Sequence, residues 1–439
     1  MRNEDVEYQE TLAYLTGLSR FGMNLGLERI QALMERLGHP ERGLRVIHVG
    51  GTNGKGSTVA MIAEILRQAG YQVGVFISPH LHDVRERITI NGQMIAKERV
   101  IALGRILRSR MEELAAGGLE HPTEFEVYTA MALLYFKERQ VDFAVVEVGL
   151  GGEIDSTNVV QPLLAVITNV GRDHMEQLGS EISDIAKVKA GIIKPGASAV
   201  TAAVRPEALA VLHEYAAGRG VKLWQVGKDI RWDVRRQGET EQEFDLYGLQ
   251  EKFPGLKLRL TGEHQLWNAA TAVTAGELLQ AEYGIKIPRQ AVYDALKSVQ
   301  WPGRLERISA RPKILLDGAH NLDGAQALAA ALALYRRQRL LLCLGMLADK
   351  EREKMLDCLI PLADEVIITK PNSSRSGDWR LLGKYAEKFG KPVMMVEDPG
   401  EAAGIGADKL GPEDMLCVAG SLYMLADVKE SLLNKLRDK

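Results

Sequence analysis

Between Leu44 and Leu66 an apolar run breaks into glycines, one lysine and two hydroxyls, Arg45-Val-Ile-His-Val-Gly-Gly-Thr-Asn-Gly-Lys-Gly-Ser-Thr-Val-Ala60, and this stretch restricts the fold more than any other. Leu44 to Val49 is short, apolar and partly β-branched, as a buried strand is, and Val59, Ile62, Ala63 and Leu66 recur at helical spacing. Strand, glycine-rich turn and helix in that order read as a phosphate-binding loop. Glycines let the backbone come close to a ligand, so that successive N–H groups and the helix N-terminus point at an anion. Lys55 adds a mobile positive charge, and Ser57 or Thr58 a hydroxyl suited to Mg²⁺. The spacing departs from G-x4-G-K-[ST], because Gly56 separates Lys55 from Ser57.

The rest of the chain continues in strands and helices, with no internal repeat and no low-complexity tract. Residues 1–43 read as amphipathic helix, a lead-in that packs on the main domain. Apolar strands follow at Tyr71 to Ser78, Val141 to Val148 and Leu163 to Val170, with helical periodicity over 97–116 and 123–139 between the first two and over 183–193 after the last. Strands alternating with helices predict a parallel, doubly wound sheet. From 221 to 261 short alternating segments, at Ile230 to Arg235 and Phe244 to Tyr247, predict an antiparallel addition at the sheet edge. Helices near 264–281 and 288–299 lead to a joint at Trp301-Pro302-Gly303-Arg304. Beyond it strands at Lys313 to Leu316, Leu340 to Leu344, Glu365 to Thr369, Val393 to Val396 and Met415 to Ala419 alternate with helices. The expected architecture is therefore α/β in two domains, residues 1–300 and 301–439, the first a P-loop ATPase domain and the second Rossmann-like.

Bulk properties narrow the partners. A net charge of -3 over 439 residues leaves no basic footprint for nucleic acid. No run approaches a membrane span, and the charged start Met1-Arg-Asn-Glu-Asp lacks a signal-peptide core, so a cytoplasmic protein acting on small molecules is expected. Cys343, Cys358 and Cys417 are odd in number and widely spaced, which fits reduced thiols better than disulfides or zinc.

Several polar residues sit at strand ends, where α/β proteins place ligands. Glu147 ends an apolar strand as Val-Val-Glu-Val-Gly, where a carboxylate needs a partner, and a divalent ion near the phosphate loop would supply one. Asp173 or His174 could join the same cluster. Lys187 and Lys189 lie two apart on a predicted helix, so at most one points into a cleft, and Lys189 has the small and apolar neighbours. Asp317-Gly-Ala-His-Asn321 and Ser421 follow strands of the second domain, and Arg304 in the joint has a fork of donors suited to phosphate.

Together these pieces resemble one family, the folylpolyglutamate synthase and dihydrofolate synthase branch of the Mur ligases. The resemblance rests on Gly50-Gly-Thr-Asn-Gly-Lys-Gly-Ser57, Ser78-Pro-His-Leu81 with Glu86-Arg-Ile88, Val146-Glu-Val-Gly-Leu-Gly-Gly152, Asp155-Ser-Thr-Asn-Val-Val160, Asp173-His174 and Lys189-Ala-Gly-Ile-Ile-Lys194. It continues through His264-Gln265 with Asn268-Ala269, Gly303-Arg-Leu-Glu306, Leu316-Asp-Gly-Ala-His-Asn321, Gly345-Met-Leu-Ala-Asp-Lys350 and Gly420-Ser-Leu-Tyr423.

The resemblance implies an ATP-dependent ligase that phosphorylates a folate-type carboxylate and lets L-glutamate attack the acyl phosphate. It assigns Gly51, Thr52, Asn53, Gly54, Lys55, Gly56, Ser57, Thr58, Asn268, Arg304 and Asp317 to ATP, and Ser57, Glu147 and His174 to Mg²⁺. It makes Lys189 the lysine that takes up CO₂ as a carbamate and helps hold a second Mg²⁺, so that Lys55, Lys189 and His174 are the expected catalytic residues. Ser78, His80, Arg87 and Asp155 fall to the acid substrate, dihydropteroate or a reduced folate, and His320 and Ser421 to glutamate. A monovalent cation and a monomeric state are further expectations. Glu153, where relatives often have arginine, and Arg172 depart from the pattern and raise the alternative of a Mur-type ligase with a non-folate acid. From another class, the loop alone also suits a P-loop phosphotransferase or a nucleotide-regulated binding protein that never ligates.

Overall fold

The computed structural model describes residues 2–22 and 24–437. Contacts divide the chain into two compact units: Met1–Asp233 with Asp245–Leu256 and Trp267–Ser298, and Val234–Phe244 with Lys257–Leu266 and Val299–Lys439. A single cut near residue 300 does not capture this division, because residues 234–244 and 257–266 go with the second unit.

In the first unit an eight-stranded sheet contains β1 (Val46–Gly50), β2 (Val73–Phe76), β3 (Ile88–Ile90), β4 (Gln93–Met94), β5 (Phe143–Glu147), β6 (Pro162–Ile167), β7 (Ser198–Thr201) and β8 (Leu223–Gln225). Their order is β4-β3-β2-β5-β1-β6-β7-β8. β1 pairs in parallel with β5 on one side and β6 on the other, so the strand order reverses at the strand that feeds the glycine-rich loop. Such a switch point opens a crevice beyond the carboxyl ends of the strands.

Both faces of the sheet are covered, which is why its central strands are apolar on both sides. Helices Arg2–Gly17, Glu28–Arg36, Lys97–Ala116 and Glu124–Glu138 bring Leu15, Leu33, Leu107 and Phe136 against Phe76 and Val146. Helices Ile182–Ala190 and Pro206–Ala217 bring Ile185 and Leu212 against Ile167 and Ala199. Helix Glu124–Glu138 starts where it does because Thr123 and Glu126 form a reciprocal capping box. The lead-in helices Arg2–Gly17 and Glu28–Arg36 pack on the helices Lys97–Ala116 and Glu124–Glu138 and share their core.

The antiparallel addition lies elsewhere than the sequence placed it. β3 and β4 form an antiparallel edge on β2. The segment expected at the edge instead forms its own three-stranded sheet, β9 (Arg231–Gln237), β10 (Gln242–Tyr247) and β11 (Lys252–Leu258), in the order β11-β10-β9. β10 and β11 alternate in burial while β9 is exposed along most of its length, so the pattern marked strands without marking their sheet.

The second unit carries a six-stranded sheet of β12 (Glu306–Ala310), β13 (Lys313–Leu316), β14 (Leu340–Leu344), β15 (Glu365–Ile368), β16 (Val393–Met395) and β17 (Met415–Ala419). The order is β12-β13-β17-β14-β15-β16, parallel except for the antiparallel β12. All three cysteines are free thiols, with Cys343 and Cys417 buried in adjacent β14 and β17. No helix among the described residues is long and apolar enough to cross a membrane.

Candidate active site

The loop after β1 is shaped by two glycines in the left-handed region and by a neighbouring strand end. Gly51 has φ 141° and Gly54 has φ 81°. A Cβ on Gly51 would overlap Thr168 Oγ1, and one on Gly54 would overlap Asn268 Oδ1, so these positions exclude side chains on both conformational and steric grounds. Asn268 therefore borders the loop from helix Glu263–Tyr283.

Thr168 and Asn169, just beyond β6, clamp the loop. The Thr52 amide donates to the Asn169 carbonyl at 3.0 Å, the Asn53 amide to Asn169 Oδ1 at 2.7 Å, and Thr168 Oγ1 to the Asn53 carbonyl at 2.6 Å. Thr52 Oγ1 donates to the Gly171 carbonyl and accepts from its amide, at 3.1 and 3.0 Å. This clamp was missed in the sequence; its signal was a Thr-Asn pair at a strand end of the same crevice. Gly56, Ser57 and Thr58 begin helix Lys55–Gln68, with Ser57 and Thr58 fully buried and Thr58 Oγ1 unpartnered in the interior.

Two lysines converge on the Gly51 carbonyl. Lys55 Nζ donates to it at 3.2 Å and to the Thr52 carbonyl at 3.2 Å, while Lys189 Nζ reaches the same Gly51 oxygen at 3.0 Å. Lys189 is 3% exposed, and burial with the adjacent Lys55 charge brings its ammonium down to about 7. A large part of the amine is therefore neutral, and nucleophilic, near neutral pH. Lys187, its neighbour, is exposed.

Glu147 closes β5 in register with Val49 of β1, buried at 5% exposure, and accepts from the Ser78 amide at 3.4 Å. His174 takes a left-handed conformation, φ 50°, its amide bound to Asp173 Oδ1 at 2.9 Å and its Nε2 3.9 Å from that oxygen. A non-glycine residue in that region is a local feature often met at active sites. Among the described residues no three His, Cys, Asp or Glu side chains converge as a preformed metal cluster. The expected donors contain only two such side chains, Glu147 and His174, with a hydroxyl and a modified lysine. A hydroxyl, a carboxylate and phosphate oxygens are nevertheless hard donors that suit Mg²⁺.

The segment 78–87 is held by Glu86, whose carboxylate accepts the amides of Leu81, His82 and Asp83 at 2.8, 3.1 and 3.0 Å. Arg87 Nε donates to His80 Nδ1 at 2.9 Å and its guanidinium lies 5.1 Å from the centre of the Tyr128 ring. Burial and that guanidinium pull His80 down to about 4, so it stays neutral. Asp155 is turned inward: Oδ2 accepts the Leu150 amide at 2.7 Å, and Oδ1 the Thr157 amide at 3.0 Å and hydroxyl at 2.5 Å. Its carboxylate shapes the loop around Gly149–Gly152 rather than reaching outward. Glu153 and Arg172 are both exposed.

In the second unit Asp317, Gly345 and Ser421 follow the adjacent strands β13, β14 and β17. Asp317 accepts the Leu305 amide at 2.8 Å and the Ala319 amide at 2.9 Å, joining the turn that carries Arg304 to its own. The Arg304 guanidinium lies against Gly318, where a Cβ would meet Nη1. His320 Nδ1 donates to the Gly318 carbonyl at 2.8 Å, and Ser421 Oγ accepts the Tyr423 amide at 3.2 Å. Arg304, Asp317, His320 and Ser421 are thus gathered at one end of this unit's sheet.

Gly54→Ala is expected to weaken nucleotide binding about tenfold and to destabilise the fold by about 1 kcal/mol or more, since the new Cβ meets both a left-handed backbone and Asn268. Isothermal titration with ADP and urea unfolding read the two effects separately.

A glycine-rich loop at the switch point of a doubly wound sheet, with a buried lysine and a strand-end carboxylate beside it, defines a nucleotide-dependent phosphoryl-transfer domain. Comparison with known proteins places it within that class. The Mur ligase middle domain matches residues 49–276, and the Mur ligase glutamate ligase domain matches residues 303–422. The chain is 39% identical over 429 residues to the dihydrofolate synthase/folylpolyglutamate synthase of Bacillus subtilis, covering 97% of this chain and 99% of that protein. The crystal structure of folylpolyglutamate synthase from Thermotoga maritima is similar with a TM-score of 0.85 at 37% identity, covering 98% of each chain. Mycobacterium tuberculosis folylpolyglutamate synthase complexed with ADP gives 0.89 at 31% identity, over 98% of this chain and 99% of that one. The chain belongs to the folylpolyglutamate synthase and dihydrofolate synthase branch of the Mur ligases, ATP-dependent enzymes that join an acid to an amino acid.

Proposed function

We propose that this enzyme uses ATP to add L-glutamate to the carboxylate of a folate-type acid, through an acyl phosphate. The observation that carries the chemistry is the meeting of Lys55 and Lys189 on the Gly51 carbonyl. Two amines crowd there because the loop is built to receive a highly charged anion between them, and burial brings one of the two down to about 7, so that a large part of it is neutral. The folate acid and glutamate rest on the relatives' activities and on the residue matches across both units.

Loop amides and the start of helix Lys55–Gln68 bind the β and γ phosphates, and the Lys55 amine turns from the loop carbonyls to the γ phosphate. Neutral Lys189 attacks CO₂: an N–C bond forms as one C=O π bond opens onto oxygen, one proton leaves to water, and the neutral amine becomes an anionic carbamate. Mg²⁺, held by Ser57, Glu147, His174 and the carbamate oxygens, would neutralise charge on the transferred phosphoryl group. An oxygen of the acid then attacks the γ phosphorus in line and the bond to ADP breaks. Glutamate nitrogen attacks the acyl carbon, phosphate departs, and the amine proton is lost.

By this reading Asn268, Arg304 and Asp317 contact the nucleotide, His320 and Ser421 receive glutamate, and Ser78, His80 and Arg87 border the acid. Asp155 takes the role its hydrogen bonds describe, holding the loop that the acid meets. Glu153 and Arg172, exposed on the surface, do not displace the folate reading. Acid labelled with ¹⁸O in its carboxylate tests the mechanism: one label appears in released phosphate if an acyl phosphate forms, and none appears if ATP hydrolysis is uncoupled from the acid.

A further inference from the structure

An unbroken chain of buried hydrogen bonds joins two residues that the chemistry above does not use to the loop behind Lys189. His48, in the middle of β1 and completely buried, has Nε2 2.8 Å from Thr157 Oγ1. That hydroxyl lies 2.5 Å from Asp155 Oδ1. Burial raises the Asp155 carboxyl, but the amides of Leu150 and Thr157 donate to both of its oxygens and favour the carboxylate; a carboxylate only accepts, so the Thr157 hydroxyl donates to Oδ1 and its oxygen accepts from His48. The imidazole is thereby fixed as the Nε2–H tautomer, and its Nδ1 is unpartnered in the interior, as an unprotonated nitrogen can be.

The loop pinned by Asp155 in turn braces the end of the helix that carries Lys189. The Glu153 amide donates to the Val188 carbonyl at 2.8 Å, and Asn158 Nδ2 to the Gly191 carbonyl at 3.3 Å. Gly152 has no side chain where the Val188 and Lys189 carbonyls approach, and Gly191 none where the Glu153 backbone does. Lys189 then reaches the Gly51 carbonyl, three residues beyond His48. The connections close into a ring: β1, Thr157, Asp155, the 149–158 loop, Lys189, and back to the phosphate loop.

We propose that His48 and Thr157 are positioning residues for ligation, which orient the Asp155 carboxylate and so hold the 149–158 loop against the Lys189 turn, keeping the lysine amine at the phosphate loop. Neither residue touches substrate. The inference rests on the reading that Lys189 is required for ligation.

Thr157→Val keeps the side chain's shape and removes both its donor and its acceptor. It is expected to lower kcat about 10- to 100-fold, the cost of losing a partner one shell removed from the chemistry, while KM for ATP changes little. The bicarbonate concentration needed for half-maximal activity should rise, and the ¹³C NMR signal of the lysine carbamate, labelled from ¹³C-bicarbonate, should fall. Thr157→Ser, which keeps the hydroxyl, and His48→Gln, whose amide presents a donor near the position of Nε2, should recover most of both. If circular dichroism shows Thr157→Val unfolded, His48→Asn, which shortens the donor's reach, is measured in its place with the same expectations. Wild-type activity in Thr157→Val would overturn the inference. So would lost activity with unchanged bicarbonate dependence and carbamate signal, since that is what a merely structural contact would do. Lys189→Ala is measured alongside: if it is inactive while Thr157→Val is fully active, the inference alone falls, whereas an active Lys189→Ala overturns the use of that lysine and the inference with it.

Discussion

Lys189→Ala is expected to lower the ligation rate about 10³-fold, the scale of losing one pre-placed charge at a phosphoryl-transfer centre, with partial recovery when acetate or formate is added. The side chain is buried at the phosphate loop, so removing it opens a space beside the Gly51 carbonyl that its amine now reaches. A carboxylate entering that space restores the anion that a carbamate would supply. Chloride at equal ionic strength should not rescue. The wild-type enzyme should show the corresponding pH dependence. Because burial and Lys55 bring the Lys189 ammonium down to about 7, the neutral amine gains population as pH rises through that value. Reactivation of CO₂-depleted enzyme, at a fixed concentration of dissolved CO₂, should therefore increase through pH 7 and level off above it. Rates independent of pH across that window would place the reactive amine elsewhere.

Lys55→Ala is expected to lower kcat by about 10²- to 10³-fold, with a smaller effect on the binding of the acid substrate. The loop amides remain, held by Thr168 and Asn169, so ADP should still bind. On the proposed mechanism, what would disappear is the mobile cation that follows charge onto the transferred phosphoryl group. The same change removes a positive neighbour of Lys189, so the Lys189 ammonium should titrate at higher pH in the variant. Single-turnover phosphate release and a pH series on Lys189 labelling check both statements.

Much of this architecture was legible because its signals are local. The run from Arg45 to Ala60 announces strand, turn and helix by composition, and the strands after it are apolar enough to be found by inspection. The segments that escaped include β3, β4 and β8, too short for periodicity to register, β7 and the helix Pro206–Ala217, where small residues blur the pattern, and β11 and the antiparallel edge strand β12. Sheet membership of residues 231–258 was not legible, since alternation says which face is buried but not which strand is the neighbour.

Among the candidate residues of each unit, strand-end charges such as Glu147 and Asp317 stood out because a charge beside an apolar strand needs a reason. The inward turn of Asp155 and the clamp of Thr168 and Asn169 did not, because both depend on contacts between segments far apart in sequence. His48 looked like one more strand residue; its partner Thr157 lies 109 positions away.

The most direct test of the central claim is mass spectrometry of the products formed from ATP, Mg²⁺ and L-glutamate with dihydropteroate or a reduced folate supplied in turn. The account predicts an acid product heavier by one glutamyl residue, formed in step with ADP and phosphate. ATP turnover that leaves both acids unchanged would contradict it, and would return attention to Glu153 and Arg172 as marks of a different acid.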